Sequence, residues 1–324
     1  MKIRILSDLH VDYNRMNPVK EVRPSKKFTV FAGDVSGDPF LTIETVSSLA
    51  ESGIVVAGNH IVYNGRKETI EDLREDLANV YTKDKDITFL EATCGIVSKK
   101  VGDILFVGST MYTDYLLKTH YNPDGARDRN MAAATPRMGG GGMNDFNFGK
   151  CRCGDVAENR FLTPCDYLKW NQQTVSMFEF VLNENERLPN PLDVVIVTHH
   201  APLKRCLMTW DVDPDIDDTR LIDSSYASDM SGFIERHKSV KAWIYGHTHR
   251  PSVFDFERSD GSRCVMVNNA HGYTNHGESI NSFRNCILDT KDWTVRQSGR
   301  FVRPKREERK LTDREIALLS CMIF

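Results

Sequence analysis

The sequence has little net charge and no long apolar run. Its 42 Lys and Arg residues nearly balance 45 Asp and Glu residues, which leaves a formal net charge of −3. This balance gives no overall electrostatic attraction to nucleic acid or to an anionic membrane, although it is compatible with a local basic patch. No segment approaches the roughly 20 apolar residues of a membrane span, and the first residues lack the apolar segment of a secretory signal. We therefore expect a soluble, cytoplasmic protein with no membrane partner.

The cysteine content is low for a disulfide-stabilised protein. The eight Cys residues are spread over 324 residues, so we expect reduced thiols, which suit the cytosol. Hydrophobic residues make up 40% of the chain, enough to fill a large core, which excludes a disordered, collagen-like or coiled-coil protein. The length favours one large domain, or one domain with a substantial insert.

Apolar runs alternate with helical patterns along the chain. The runs "KIRIL", "KFTVFAGD" and "GIVVAGNH" predict buried strands, and helical spacing predicts helices over 39–52 and 66–80. This alternation indicates βαβ units and a sheet covered by helices. Short strands follow near 88–90, 95–98 and 104–108, a helix is predicted over 164–186, and the strands "DVVIVTHH" and "VKAWIYGHTH" come after it. Four terminal strands, near 252–256, 263–267, 284–288 and 293–295, are expected to lie together in a second sheet.

Two segments depart from this pattern. Residues 119–161 lack strand or helix periodicity, contain four consecutive glycines and are longer than ordinary connections, so we interpret them as an insert in a domain of residues 1–300. Because they carry aromatic and Arg side chains, we expect this insert to govern substrate choice and not the chemistry. Residues 301–324 form a basic tail that ends in a predicted amphipathic helix.

Good ligands for divalent metals follow five of the predicted strands. In layered α/β folds such residues collect at the carboxyl ends of strands, so we expect the five loops to converge on one site. Carboxylate, amide and imidazole ligands without thiolate suit Mn, Fe, Zn, Co or Ni. The residues are Asp8 and His10, then Asp34, then Asn59 and His60, then His199 and His200, and finally His247 and His249.

In this order the motifs "DLH", "GD", "GNH", "HH" and "GHTH" resemble those of the calcineurin-like metallophosphoesterase superfamily. The resemblance spans about residues 1 to 290. It implies an α/β fold of two packed mixed β-sheets flanked by helices, a four-layer sandwich. The segments "TMYTDY", "MNDF" and "NNAHGYTNHGE" are also similar to a bacterial and phage subgroup whose substrates are generally unassigned.

The resemblance also implies residue roles. Two divalent ions, with Mn favoured, are expected to supply a metal-bound hydroxide for the hydrolysis of a phosphate ester. Of the non-ligands, His60 would face the leaving group, while His200 and His271 are candidates for substrate contact. The implied ligands are Asp8, His10 and His249 for one metal, Asn59, His199 and His247 for the other, and Asp34 as the bridge.

The sequence leaves three functions open. The first is a phosphomonoesterase or phosphodiesterase, with a nucleotide among the candidate substrates. The second is a DNA or nucleotide nuclease of the same superfamily. The third is a metal-binding scaffold with decayed catalysis, because the family usually has an acidic residue after the "GNH" histidine and this chain has Ile61. Retention of His60 favours activity, and absence of "GDxVDRG" argues against a phosphoprotein phosphatase. Oligomeric state is not predicted.

Overall fold

In the described part of the chain, two six-stranded β-sheets lie face to face. The computed structural model describes residues 1–14, 22–62, 86–137, 141–147, 152–153, 160–207, 220–274 and 284–300. The strands in chain order are β1 (Lys2–Leu6), β2 (Phe28–Ala32), β3 (Ser52–Val56), β4 (Asp86–Phe89), β5 (Ser98–Val101), β6 (Ile104–Ser109), β7 (Arg152–Cys153), β8 (Arg160–Phe161), β9 (Asp193–Thr198), β10 (Val240–Tyr245), β11 (Ser252–Glu257), β12 (Arg263–Asn268), β13 (Arg284–Asp289) and β14 (Thr294–Arg300). The α-helices are α1 (Pro39–Leu49), α2 (Arg127–Ala134), α3 (Pro164–Glu186) and α4 (Ser231–Arg236). Short 3-10 helices cover His60–Val62, Ala92–Cys94, Asn144–Phe146, Lys204–Leu207 and Leu221–Ser225.

Both sheets are mixed, with parallel strands in the centre. The first sheet has the order β14-β13-β1-β2-β3-β4, in which β1 to β4 are parallel and β13 pairs antiparallel with β1 and β14. The second has the order β11-β12-β10-β9-β6-β5, in which β6, β9, β10 and β12 are parallel. Because parallel neighbours end at the same edge of a sheet, the loops after β1, β2 and β3 are adjacent, and so are those after β9 and β10.

The hydrophobic core has its centre between the two sheets. Ile5 of β1 and Val197 of β9 belong to the buried cluster there, together with side chains from most of the other strands. Alternate residues of each strand point outward, where helices cover them. Val46 of α1 packs in the outer cluster of the first sheet, and Phe178 of α3 packs in that of the second. The layers confirm the predicted α/β sandwich of two packed mixed sheets flanked by helices.

Several predicted elements are confirmed with small changes of boundary. Helix α3 spans the predicted residues and starts with Pro164 as its first residue, while α1 ends at Leu49. The strand predicted over 95–98 is wrong, because Gly95 ends a 3-10 helix in the left-handed conformation (φ 73°) and β5 begins only at Ser98.

The terminal strands are divided between the two sheets, contrary to the prediction that they lie together in a second one. Strands β11 and β12 extend the second sheet, whereas β13 and β14 extend the first. The pairing of β13 with β1 aligns Leu288 with Ile3. This pairing covers a backbone edge of β1 that would otherwise be unpaired.

Residues 119–161 contain regular structure, which the sequence did not predict. Helix α2 forms there without an apolar stripe, and the side-chain amide of its buried Asn130 donates to the carbonyl oxygens of Tyr115 at 2.9 Å and Leu117 at 3.0 Å. Phe146 is 5% exposed and packs in the same apolar cluster as α1. Part of the segment therefore belongs to the core, while its bounds as an insert and its role in substrate choice stay predictions.

Two other predictions lie outside the described residues. They are the helix over 66–80 and the tail over 301–324. Among the residues that the structure does describe, no helix has the length and apolar character of a membrane span. Among the described residues, Cys206, Cys264 and Cys286 are buried and not disulfide-bonded.

Candidate metal centre

Most of the predicted ligands sit in an unusual backbone conformation directly after their strands. Asp8, His10, Asp34, His247 and His249 all have positive φ, between 44° and 65°. Positive φ is uncommon for residues other than glycine and costs about 1–3 kcal/mol where the surrounding structure imposes it. Such outliers cluster at functional sites, and here they turn five side chains toward one another.

Backbone hydrogen bonds tie the loops together. The Asp8 N–H donates to the Gly33 carbonyl at 3.0 Å, which links the loops after β1 and β2. The Asp34 N–H donates to the Ala57 carbonyl at 3.1 Å, which links β2 to β3. In the second sheet, the Gly246 N–H donates to the carbonyl of the residue that follows β9, at 3.0 Å.

Glycine is required at two positions where the loops of the site approach each other closely. A Cβ atom at Gly246 would lie 2.6 Å from Asp8 Oδ2 and 2.7 Å from the Ala32 carbonyl oxygen. At Gly58, which has φ 84°, a Cβ would lie 2.5 Å from the Asp34 amide nitrogen. The glycines of "GNH" and "GHTH" therefore allow the close approach on which the site depends.

A first group of potential ligands comes from the loops after β1 and β10. One ligand atom from each of Asp8, His10 and His249 lies within 4.8 Å of the others. The His10 and His249 Nε2 atoms are 3.0 Å apart, and His249 Nε2 is 3.4 Å from Asp8 Oδ1. The Asp8 carboxylate is held by the His247 N–H, which donates to Oδ1 at 2.9 Å, and by the Ser7 hydroxyl.

A second group lies beside the first and consists of Asp34, His199 and His247, with Asn59 next to them. His199 Nε2 is 3.1 Å from Asp34 Oδ2 and 2.9 Å from Asn59 Oδ1. The other ring nitrogen, Nδ1, lies 2.9 Å from the Ala32 carbonyl oxygen, an outer contact that fixes ring orientation in metal sites. Among the described residues, the buried His247 Nε2 has no hydrogen-bond partner, which suits an atom that binds a metal ion.

Asp34 belongs to the second group and also lies close to the first. Its Oδ2 is 3.1 Å from His199 Nε2 and 3.9 Å from the Nε2 atoms of both His10 and His60. Burial alone would raise the pKa of this carboxyl, but the attraction and hydrogen bond of His199 and the attraction of His60 hold the pKa well below its ordinary value. Asp34 is therefore an anion at neutral pH, with Oδ2 near three imidazoles and Oδ1 accepting the His60 backbone N–H.

The pKa values of the imidazoles are shifted in opposite directions. Burial, followed by repulsion from neighbouring rings, lowers the pKa of His10 and of His247 well below the ordinary value. Both rings are therefore neutral, which is the form that binds metals. Burial alone would also lower the pKa of His199, but the charge of Asp34 outweighs it and raises the pKa to about 9. A metal ion at this position has to compete with that proton.

His60 lies at the more open side of the centre. Its backbone N–H donates to Asp34 Oδ1 at 2.9 Å, and its Nε2 is 2.9 Å from the Tyr273 hydroxyl oxygen. Together with His10 and Asp34 it forms a third group of neighbouring ligand atoms. The His60 side chain is 17% exposed, compared with 1% for His10, so it faces the side from which a substrate can arrive.

The two histidines predicted to contact substrate are both buried. His200 lies behind the ligands, with its ring 4.2 Å from that of His247 and its Nδ1 3.4 Å from the Thr110 carbonyl oxygen. His271 follows β12, and its N–H donates to the Ser7 carbonyl at 2.9 Å. The structure thus brings both next to the loops that carry the ligands, and their contact with substrate stays a prediction.

Three residues at the site were not identified from the sequence. Asp145 accepts a hydrogen bond from Asn59, and Tyr167 donates one to Asp145. Tyr273 contacts His60. Asp145 and Tyr273 lie in "MNDF" and "NNAHGYTNHGE", segments that the family resemblance includes, but nothing in the local sequence indicates which residue of each segment reaches the site. Tyr167 occupies one of the apolar positions of α3, so the sequence pattern predicts a core residue there.

The fold and the site together define a metal-binding α/β sandwich, with carboxylates, an amide and imidazoles at the ends of parallel strands. The chain belongs to the calcineurin-like phosphoesterase family, whose family model matches residues 1–251. It is accordingly a hydrolase that acts on phosphate esters. Divalent metals are the cofactors that this family uses, and the ligand groups described above fit them.

Two further proteins are similar over most of their length. The uncharacterized protein L509 of Acanthamoeba polyphaga mimivirus is 23% identical over 308 residues, which cover 89% of this chain and 96% of the viral protein. The crystal structure of phosphopantetheinyl hydrolase (PptH) from Mycobacterium tuberculosis matches with a TM-score of 0.59 and 17% identity, over 94% of this chain and 98% of the other. At this identity the structural match shows a common fold.

Proposed function

We propose that this protein hydrolyses small phosphate esters with a centre of two divalent metal ions. The observation that carries the proposal is the pair of adjacent ligand groups, one with Asp8 and one with Asp34, in each of which the ligand atoms lie within 4.8 Å of one another. Seven ligand side chains are more than one ion takes from protein while it keeps a position for substrate. A second ion accounts for the rest.

The proposed assignment gives each ion ligands from both sheets. One ion would be held by Asp8, His10 and His249, and the other by Asn59, His199 and His247. Asp34 would serve both, because among the described residues it is the carboxylate whose Oδ2 lies within 4 Å of an imidazole of each group. Of Mn, Fe, Zn, Co and Ni, which all suit this mixture of oxygen and nitrogen ligands, we favour Mn.

The protein's own residues supply orientation and a proton. When bound, two divalent ions activate water and offset negative charge on the phosphoryl oxygens. We assign to His60 the donation of a proton to the leaving oxygen, since its Nε2 is near the centre and is not needed as a ligand. Without substrate the Tyr273 hydroxyl, 2.9 Å from that nitrogen, orients the ring, and the leaving oxygen takes its place as the acceptor of the Nε2 proton. A nucleotide substrate and a cytoplasmic location stay predictions from sequence.

The test compares two substrates after reconstitution with Mn²⁺. Wild-type protein and Asp34→Asn are assayed on p-nitrophenyl phosphate and on bis(p-nitrophenyl) phosphate, and then on a panel of nucleotides and a single-stranded DNA. Asp124→Asn, a substitution of an exposed aspartate that belongs to none of the ligand groups, is the matched control. Metal-dependent turnover of either small ester that is lost in Asp34→Asn supports the proposal, and the preferred ester decides between monoesterase and diesterase. Turnover that survives Asp34→Asn or metal removal contradicts it.

A further inference from the structure

The Asn59 side chain has two different ends, and each has one defined neighbour. Its Oδ1 lies 2.9 Å from His199 Nε2, and its Nδ2 donates to Asp145 Oδ1 at 2.6 Å. A primary amide can turn over and exchange these ends, but only the oxygen can bind a cation. Asp145 is a carboxylate and accepts hydrogen bonds, so it selects the orientation in which the oxygen of Asn59 faces the metal centre.

Asp145 is itself held in place. The Tyr167 hydroxyl donates to the same oxygen, Oδ1, at 2.5 Å, and Asp145 and Tyr167 are each 1% exposed. Tyr167 is on the 23-residue helix α3, whereas Asp145 is in the short 3-10 helix Asn144–Phe146. A rigid element therefore fixes the carboxylate that contacts Asn59.

The residue after the "GNH" motif brings no carboxylate to Asn59. Ile61 directly follows the "GNH" motif, is 1% exposed, and packs in the apolar cluster that contains Phe146 and Tyr167. A carboxylate at this position would be buried among apolar groups at high cost. Asp145 brings a carboxylate to the same motif from a point 86 residues further along the chain.

We infer that Asp145 and Tyr167 are positioning residues for Asn59, and that the segment 119–161 thereby completes one of the two metal sites. The inference rests on the proposed two-metal centre. The other two ligands of that site, His199 and His247, are imidazoles, so an anion hydrogen-bonded to the amide increases the negative charge on its oxygen and strengthens its binding to a cation. Loss of such an outer contact typically weakens metal binding about 10- to 100-fold.

The experiment is an equilibrium titration of metal-free protein with Mn²⁺ by calorimetry. Asp145→Asn keeps the size of the side chain and removes its charge, and Asp124→Asn, an exposed aspartate of the same segment, is the control. We expect Asp145→Asn to weaken one of two Mn²⁺ sites about 10- to 100-fold and to leave the other unchanged. Tyr167→Phe keeps the Asp145 carboxylate but removes the hydroxyl that donates to it, so it should weaken the same site by a smaller factor.

Two further measurements distinguish a positioning role of Asp145 from a merely structural one. The melting temperature of metal-free Asp145→Asn should stay close to that of the wild type, and in an Asn59→Ala background the same substitution should not change the remaining site. Weakening of both sites together with a large loss of metal-free stability overturns the inference. If Asp145→Asn does not fold, Tyr167→Phe tests the inference instead, by the Mn²⁺ affinity of each site and the melting temperature of the metal-free protein.

The outcomes also distinguish this inference from the proposed function. If Asn59→Ala loses one Mn²⁺ site while Asp145→Asn and Tyr167→Phe keep both at wild-type affinity, the two-metal centre stands and the positioning role is wrong. If the wild type binds fewer than two ions, both proposals fail.

Discussion

Replacement of His60 by alanine should separate metal binding from the chemical step. The His60 backbone N–H donates to Asp34 Oδ1 at 2.9 Å, and this contact is retained in the variant, so Asp34 keeps its position. The variant loses only the ring, whose Nε2 lies 3.9 Å from Asp34 Oδ2 and 2.9 Å from the Tyr273 hydroxyl. We therefore expect two bound metal ions and a defect in turnover.

The size of the defect follows from the role assigned to the ring. A positioned proton donor contributes about 10²- to 10⁴-fold to a rate, equivalent to about 2.7–5.4 kcal/mol of activation free energy. The effect on folding is smaller, because the His60 side chain is 17% exposed and water can replace it as a partner of Tyr273. We expect the free energy of unfolding to change by about 1 kcal/mol.

The assay measures kcat for a series of aryl and alkyl phosphate esters with leaving groups of increasing basicity. A poor leaving group needs the proton more, so the defect of His60→Ala should grow along the series. His120→Ala, a substitution of an exposed histidine that belongs to none of the ligand groups, is the control. Tyr273→Phe should show a weaker form of the same trend. Loss of bound metal in His60→Ala, or an equal defect for every leaving group, would refute the role of His60 as proton donor.

Two predictions concern stability. Phe146→Ala should lower the free energy of unfolding, measured by urea denaturation, by about 3–5 kcal/mol, because the ring is 5% exposed in the core. Tyr121→Ala, which removes a ring that is 62% exposed, is the control and should have little effect. Equal effects of the two substitutions would place residue 146 outside the core. Burial alone would raise the pKa of Asp166, but hydrogen bonds from Arg160 and Thr163 lower it below 3.8. Its stabilising contribution is therefore present above about pH 4 and lost as the pH falls through the lowered value, so Asp166→Asn should weaken the acid dependence of unfolding. An unchanged acid dependence in this variant would contradict that reasoning.

The parts of the fold that were predictable have strong local signals. The strands β1, β2, β3, β9 and β10 are apolar runs that end abruptly in polar residues, and α3 combines Pro164 at its first position with regular apolar spacing. The convergence of their loops follows from the rule that sites lie at the carboxyl ends of parallel strands. All seven predicted ligands are consequently brought close together, although their roles remain proposals.

The parts that were not predictable depend on contacts between distant residues. Helix α2 has no apolar stripe and is held by Asn130, whose partners are backbone carbonyls of Tyr115 and Leu117. No local sequence pattern predicts such a contact. Asp145 likewise meets Asn59 only because the sheet and α3 place them together, and the split of the terminal strands depends on which sheet edge is left open.

The two-metal centre is tested most directly by the number of ions that the protein binds. Metal-free protein is loaded with excess Mn²⁺, separated from free metal, and analysed for bound Mn per chain. The wild type should bind two ions, Asn59→Ala should retain one, and Asp34→Asn should lose affinity at both sites, because a neutral amide is a poor bridge between cations. A wild-type plateau at one ion, or an Asp34→Asn variant with one site of undiminished affinity, would contradict the account.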